Sequence, residues 1–80
     1  MDVDIKSLKD FVISNHTNWF HVSEYYNYIG LSEYSYLVDE AEKKMMELVR
    51  SLNLSYREGR EGYLYYVAIP ENVFDKWTRT

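Results

Sequence analysis

The chain has no cysteine, no glutamine and only one proline in its 80 residues. Without cysteine, disulfides and thiolate zinc sites are excluded. The stability of so short a chain must come from packing or association. No apolar run approaches the roughly 18–20 residues that a membrane span requires. The opening "MDVDIKSLKD" alternates charges and lacks a secretory hydrophobic core, so an intracellular, cytoplasmic location is expected. In that setting the triplets Asn15-His-Thr17 and Asn53-Leu-Ser55 carry no glycosylation meaning. The lack of glutamine follows one trend of heat-adapted chains, although five asparagines run against it.

What is present suits a single small domain over residues 1–80. Apolar residues make up 46% and aromatics 18%, nine of them tyrosine, the reverse of a disordered chain's balance. The net charge of −4 argues mildly against nucleic acid as a partner, but it is unevenly placed. Residues 1–42 carry two basic and eight acidic side chains, and residues 43–80 carry seven basic and five acidic. Lys43, Lys44, Arg50, Arg57 and Arg60 outnumber Glu47 and Glu58 within 43–60, a local basic footprint on an acidic protein.

Ile5, Leu8, Phe11 and Val12 fall close to helical spacing over 4–14, with Asp4 as N-cap and Asn15 as a left-handed stop. Trp19, Phe20 and Val22 suggest a brief strand. Ser23 is the expected cap of a short helix, "EYYNYI", which Gly30 ends. A long helix follows over 33–52, with Leu37, Ala41, Met45, Leu48 and Leu52 in one stripe. Strands over 54–57 and 63–69 flank "EGREG", whose glycines signal a hairpin. Pro70 suits the start of a last helical turn carrying Val73, Phe74 and Trp77. The expected fold class is α+β: three helices, a C-terminal β-hairpin and a short terminal helical turn.

This order, and above all "VSEYYNYIGLSEYSYLV" with Gly30 at the turn and Leu31 as the buried turn residue, resembles the winged helix-turn-helix family. The resemblance implies that 33–52 is a recognition helix and 55–67 a wing. It further implies a DNA-binding transcriptional regulator, with Lys43, Lys44, Arg57, Arg60, Tyr34 and Ser35 at the nucleic acid. The chain departs from the family's pattern at Glu33, Asp39, Glu40 and Glu42, because carboxylates at the front of that helix repel phosphates. The alternative is a protein–protein interaction module that uses the same fold and presents an acidic, tyrosine-rich surface. The composition is similar to that of accessory proteins of archaeal viruses or plasmids.

Arg57 and Arg60 read either as phosphate clamps or as part of a solvated turn, since Glu58 and Glu61 alternate with them. Tyr25, Tyr26, Tyr28, Tyr34 and Tyr36 suit stacking or, more simply, rings that cap a core. The strand 63–69 is apolar on both faces: Tyr63, Tyr65, Val67 and Ile69 on one, Leu64, Tyr66 and Ala68 on the other. Either the last helix covers the second face, with Tyr66 meeting Trp77, or a second subunit does. A homodimer through Tyr63, Tyr65, Tyr66 and Trp77 is the expectation. His16 and His21 have no carboxylate at metal spacing, and Asp39, Glu40 and Glu42 read as a solvated face, so no metal, cofactor or enzymatic activity is expected.

Overall fold

The computed structural model of the protein describes residues 2–31 and 38–79. Helix α1 spans Ile5–Asn15, strand β1 Trp19–His21, α2 Val22–Tyr28 and α3 Val38–Ser51. Strands β2 (Ser55–Glu58) and β3 (Leu64–Ala68) follow, joined through a 3-10 turn at Arg60–Gly62, and α4 (Glu71–Thr78) ends the described chain. The three strands form one antiparallel sheet in the order β1-β3-β2. The architecture is α+β, as expected. The start of the expected long helix, Glu33 to Leu37, lies outside the described residues.

Helix α1 begins where the sequence indicates. The Asp4 carboxylate accepts from the Ser7 amide at 2.8 Å, and Ser7 Oγ accepts from the Asp4 amide at 3.3 Å, a reciprocal cap. Its stop comes one residue later than expected. The Asn15 side-chain amide Nδ2 donates to the Phe11 carbonyl (2.9 Å) while Asn15 stays helical, and His16 takes the left-handed conformation instead. Ser23 is not the cap of α2 either: the strand runs straight into the helix at Val22. The Glu24 carboxylate accepts from the His21 amide at 3.2 Å.

Gly30 closes α2 with φ +83. The Leu31 amide donates to the Tyr26 carbonyl (2.8 Å) and the Gly30 amide to that of Asn27 (3.1 Å), the paired pattern of a left-handed helix stop. The same pattern ends α3, with Asn53 (φ 55) in the glycine's place and Leu54 bonded to Val49. The second stop sets how the hairpin leaves α3.

Leu8, Val12, Phe20, Val22, Tyr25, Met45, Val67 and Ile69 are almost wholly buried and form the centre of the core. Phe11 meets Phe20 and Tyr25 edge-on at 4.9 and 5.7 Å. Tyr25 does not keep a wet hydroxyl. Its oxygen lies 2.6 Å from Ser7 Oγ, inside the protein.

Two expectations about β3 change. Its alternation is broken, because Arg57 pairs with Tyr66 while Glu58 pairs with Leu64. Tyr65 is the extra residue of this bulge, so Leu64 and Val67, three apart, both face the core. Helix α4 packs against α1, with His16 and Phe74 rings 5.3 Å apart, and does not cover the outer face of the sheet. Trp77 is half-buried against the core, and among the described residues its ring makes no contact with that of Tyr66.

Because Gly30 sits at positive φ with open space around it, only backbone strain penalises a side chain there. Gly30→Ala is expected to lower the unfolding free energy by about 1–2 kcal/mol in a urea titration, with Gly30→Asn costing less.

Candidate nucleic-acid interface

The anticipated cations separate into two groups. Lys44 lies on the side of α3 that faces the N-terminus of α1, where its ammonium contacts the Asp2 carboxylate at 2.8 Å. The hydrogen bond from Lys44, helped by the Val3 amide, holds Asp2 below the usual carboxylate range. The same contact raises Lys44 above the usual lysine range. Lys44 is thus the one anticipated cation that has an ion-pair partner among the described residues. Lys43, one residue back, points roughly 100° away around the helix and is exposed.

Asp39, Lys43, Met46 and Arg50 follow the i, i+4, i+7, i+11 spacing of one helix stripe. The Tyr63 hydroxyl donates to the Asp39 carboxylate at 2.9 Å, so the Asp39 end of this stripe lies beside the turn of the hairpin. Hydrogen bonding to that carboxylate raises the Tyr63 phenol above its ordinary range. Arg50 was not among the anticipated contacts, although its seven-residue spacing from Lys43 was there to be read. Arg57 is exposed on the outer sheet face and Arg60 is exposed in the turn at the hairpin tip. Among the described residues the one ion pair is Lys44–Asp2, so Lys43, Arg50, Arg57 and Arg60 carry unpaired charge. Tyr34 and Ser35 lie outside the described residues.

Glu42 does not belong to a solvated face. One carboxylate oxygen accepts from the Tyr26 hydroxyl at 2.7 Å, and the other accepts from the Leu64 amide at 3.0 Å. Helix α2, helix α3 and the first residue of β3 therefore converge on one side chain. Burial, followed by the hydrogen bond to Glu42, pushes the Tyr26 phenol far above its ordinary value. No local pattern marks Glu42, since both partners are distant in sequence.

The outer sheet face carries an aromatic cluster of which only part was anticipated. Tyr65 and Tyr66 are 4.4 Å apart, His21 is 5.0 and 4.4 Å from them, and Trp19 is 5.1 Å from Tyr66. Trp19 is 59% exposed and Tyr65 50%, so this surface is apolar and open. A groove of about 450 Å³ crosses it, floored by Ala68 and walled by Trp19, Tyr66, Ser55 and Arg57. The cross-strand pairing of Trp19 with Ala68 brings the tryptophan here. Among the described residues no three His, Cys, Asp or Glu side chains gather where they could hold a metal, and no helix is long and apolar enough to cross a membrane.

Compared with protein-family models, curated proteins and solved structures, the chain matches none of them. The chemistry of the surface therefore carries the functional argument.

Glu42→Ala removes two hydrogen bonds to a charged acceptor and strands a partly buried phenol and an amide. A loss of about 2–3 kcal/mol is expected in denaturant unfolding. Tyr26 holds its proton more tightly folded than unfolded. Its stabilising contribution is complete below about pH 10 and is lost as pH rises through and beyond that value. Stability measured from pH 8 to 11.5 should fall less steeply in Tyr26→Phe than in the parent chain.

Proposed function

We propose that the protein is a winged helix-turn-helix domain that binds double-stranded DNA as a local transcriptional regulator. In this reading α3 approaches the major groove and the β2–β3 hairpin rests on the backbone as a wing. The observation that carries it is the grouping of unpaired cations. Lys43 and Arg50 share the stripe of α3 whose Asp39 end meets Tyr63 beside the hairpin turn, and Arg57 and Arg60 sit on the hairpin itself. The element order, with β3 central between β1 and β2, supports the same reading.

The carboxylates at the front of α3 keep their negative charge, although two of them accept internal hydrogen bonds. Asp39 is engaged by Tyr63, and Glu42 by Tyr26 and Leu64. Glu40 and Glu47 stay exposed on α3, with Glu58 and Glu61 on the hairpin. Affinity then rests on about four phosphate contacts, which makes it modest and strongly dependent on salt.

A second reading follows from the open aromatic face around Trp19 and Tyr66. There the fold serves as a protein-binding module, and the acidic residues of α3 add to its contact surface. The two readings separate in one experiment.

Fluorescence anisotropy with mixed-sequence duplexes should give a slope of log K against log salt of about −3 to −4. Arg57→Ala/Arg60→Ala should bring the slope to about −2, while Lys44→Ala should leave it unchanged. No binding at low salt, or a slope unmoved by the double substitution, removes the DNA reading and leaves the protein-binding one.

A further inference from the structure

The two edges of the sheet differ in what is left open. In an antiparallel ladder, residues alternate between pointing their backbone groups at the neighbouring strand and away from it. The Ile69 amide donates to the Asn18 carbonyl at 2.6 Å, which sets the alternation between β1 and β3. By that count Phe20 bonds Val67, and the backbone groups of Trp19 and His21 point away from the sheet. The chain's own side chains meet them. Thr17 Oγ1 donates to the Trp19 carbonyl (2.7 Å) and accepts from the Trp19 amide (3.4 Å), and Glu24 takes the His21 amide. The β1 edge is closed.

The β2 edge is not. Val67 faces β1 with its amide and carbonyl, so Tyr66 and Ala68 are the β3 residues that bond Arg57 and Ser55. Tyr56 then turns its amide and carbonyl outward, where no group of the described residues meets them. All four residues of β2 are exposed.

We infer that this edge pairs with β2 of a second copy of the chain, antiparallel about a two-fold axis at Tyr56, joining two three-stranded sheets into one. Self-complementarity selects the occupant. A two-fold axis places outward-pointing residues opposite outward-pointing residues, so only even-numbered positions bond one another. Centring on Arg57 sets two guanidinium groups directly opposite, a like-charge contact. Centring on Ser55 asks Tyr56 to bond Leu54, whose amide is already donated to the Val49 carbonyl at 2.9 Å. Centring on Tyr56 sets no like charges opposite, and its central pair forms without the Leu54 amide, which next faces Glu58 of the other copy. Tyr56 of each copy exchanges two backbone hydrogen bonds, and each Arg57 faces Ser55 of the other.

The groove on the outer sheet face is lined by Ser55 and Arg57 at this edge, so pairing sets two grooves end to end across the axis. Two backbone bonds and a pair of rings make a weak, concentration-dependent dimer. Its interface lies apart from Tyr63 and Trp77, and it does not depend on DNA binding.

The absence of native cysteine makes the register directly readable. Ser55→Cys, Tyr56→Cys and Arg57→Cys are each oxidised in the full chain without DNA and run on a non-reducing gel, with circular dichroism confirming the fold. A bonded pair holds its Cα atoms about 5.5 Å apart, within disulfide reach, whereas positions 55 and 57 meet their own counterparts only across a diagonal beyond it. Tyr56→Cys should cross-link about tenfold faster than the other two. Equal rates, faster cross-linking at 55 or 57, or none at any position overturns the proposal. In a second measurement, sedimentation of a synthetic chain methylated on the Tyr56 amide keeps the ring and removes the donor. Its self-association should fall below that of the unmodified chain, and equal association overturns the proposal.

Discussion

One carboxylate holds the working parts of this protein in place. Glu42 accepts from the Tyr26 hydroxyl and the Leu64 amide, so α2, α3 and the return strand of the hairpin meet at a single charged acceptor. Hydrogen bonds to an ionised group are stronger than neutral ones, and a partly buried phenol left unpaired is costly. The angle between α3 and the hairpin depends on this contact. So does the position of Lys43 and Arg50 relative to Arg57 and Arg60.

A second buried link acts one residue away along α2, at Tyr25. Ser7 is 2% exposed and bridges the Asp2 carbonyl and the Tyr25 hydroxyl, which ties the start of α1 to α2 beneath the core. The Lys44–Asp2 pair lies over the same corner but is exposed on both sides, so it adds little stability. It does give Lys44 a partner, whereas Lys43 has none among the described residues. Position around the helix thus divides neighbouring lysines into a structural residue and a free one.

The sheet shows how a small domain manages its open backbone. Thr17 and Glu24 close one edge, the 3-10 turn and the bulge at Tyr65 bend the hairpin, and the β2 edge stays open at Tyr56. Helix α4 lies on α1, which leaves the aromatic outer face of the sheet uncovered. A chain with no disulfide and a modest core leaves these aromatic rings and the unpaired Lys43, Arg50, Arg57 and Arg60 exposed.

Local chemistry made much of this legible in the sequence. The Asp4 cap, the Gly30 stop, the Ala41–Met45 stripe and the glycine-bracketed hairpin depend on residues within a few positions of one another, and all appear. Small errors at Asn15 and Ser23 came from competing local bonds, Asn15 to Phe11 and Glu24 to His21. The two-sided apolar character of residues 63–69 was also visible, but its assignment to faces was not, since the bulge at Tyr65 is set by pairing with β2. Glu42 as a clamp, Lys44 as a structural residue, Trp77 in the core and Trp19 beside Tyr66 each join residues far apart in the chain. Capping, periodicity and turn geometry act over one helical turn or one hairpin, and the sequence by itself determined those. Which charges stay free and which faces stay open was decided only when α1, α3 and the sheet closed on one another.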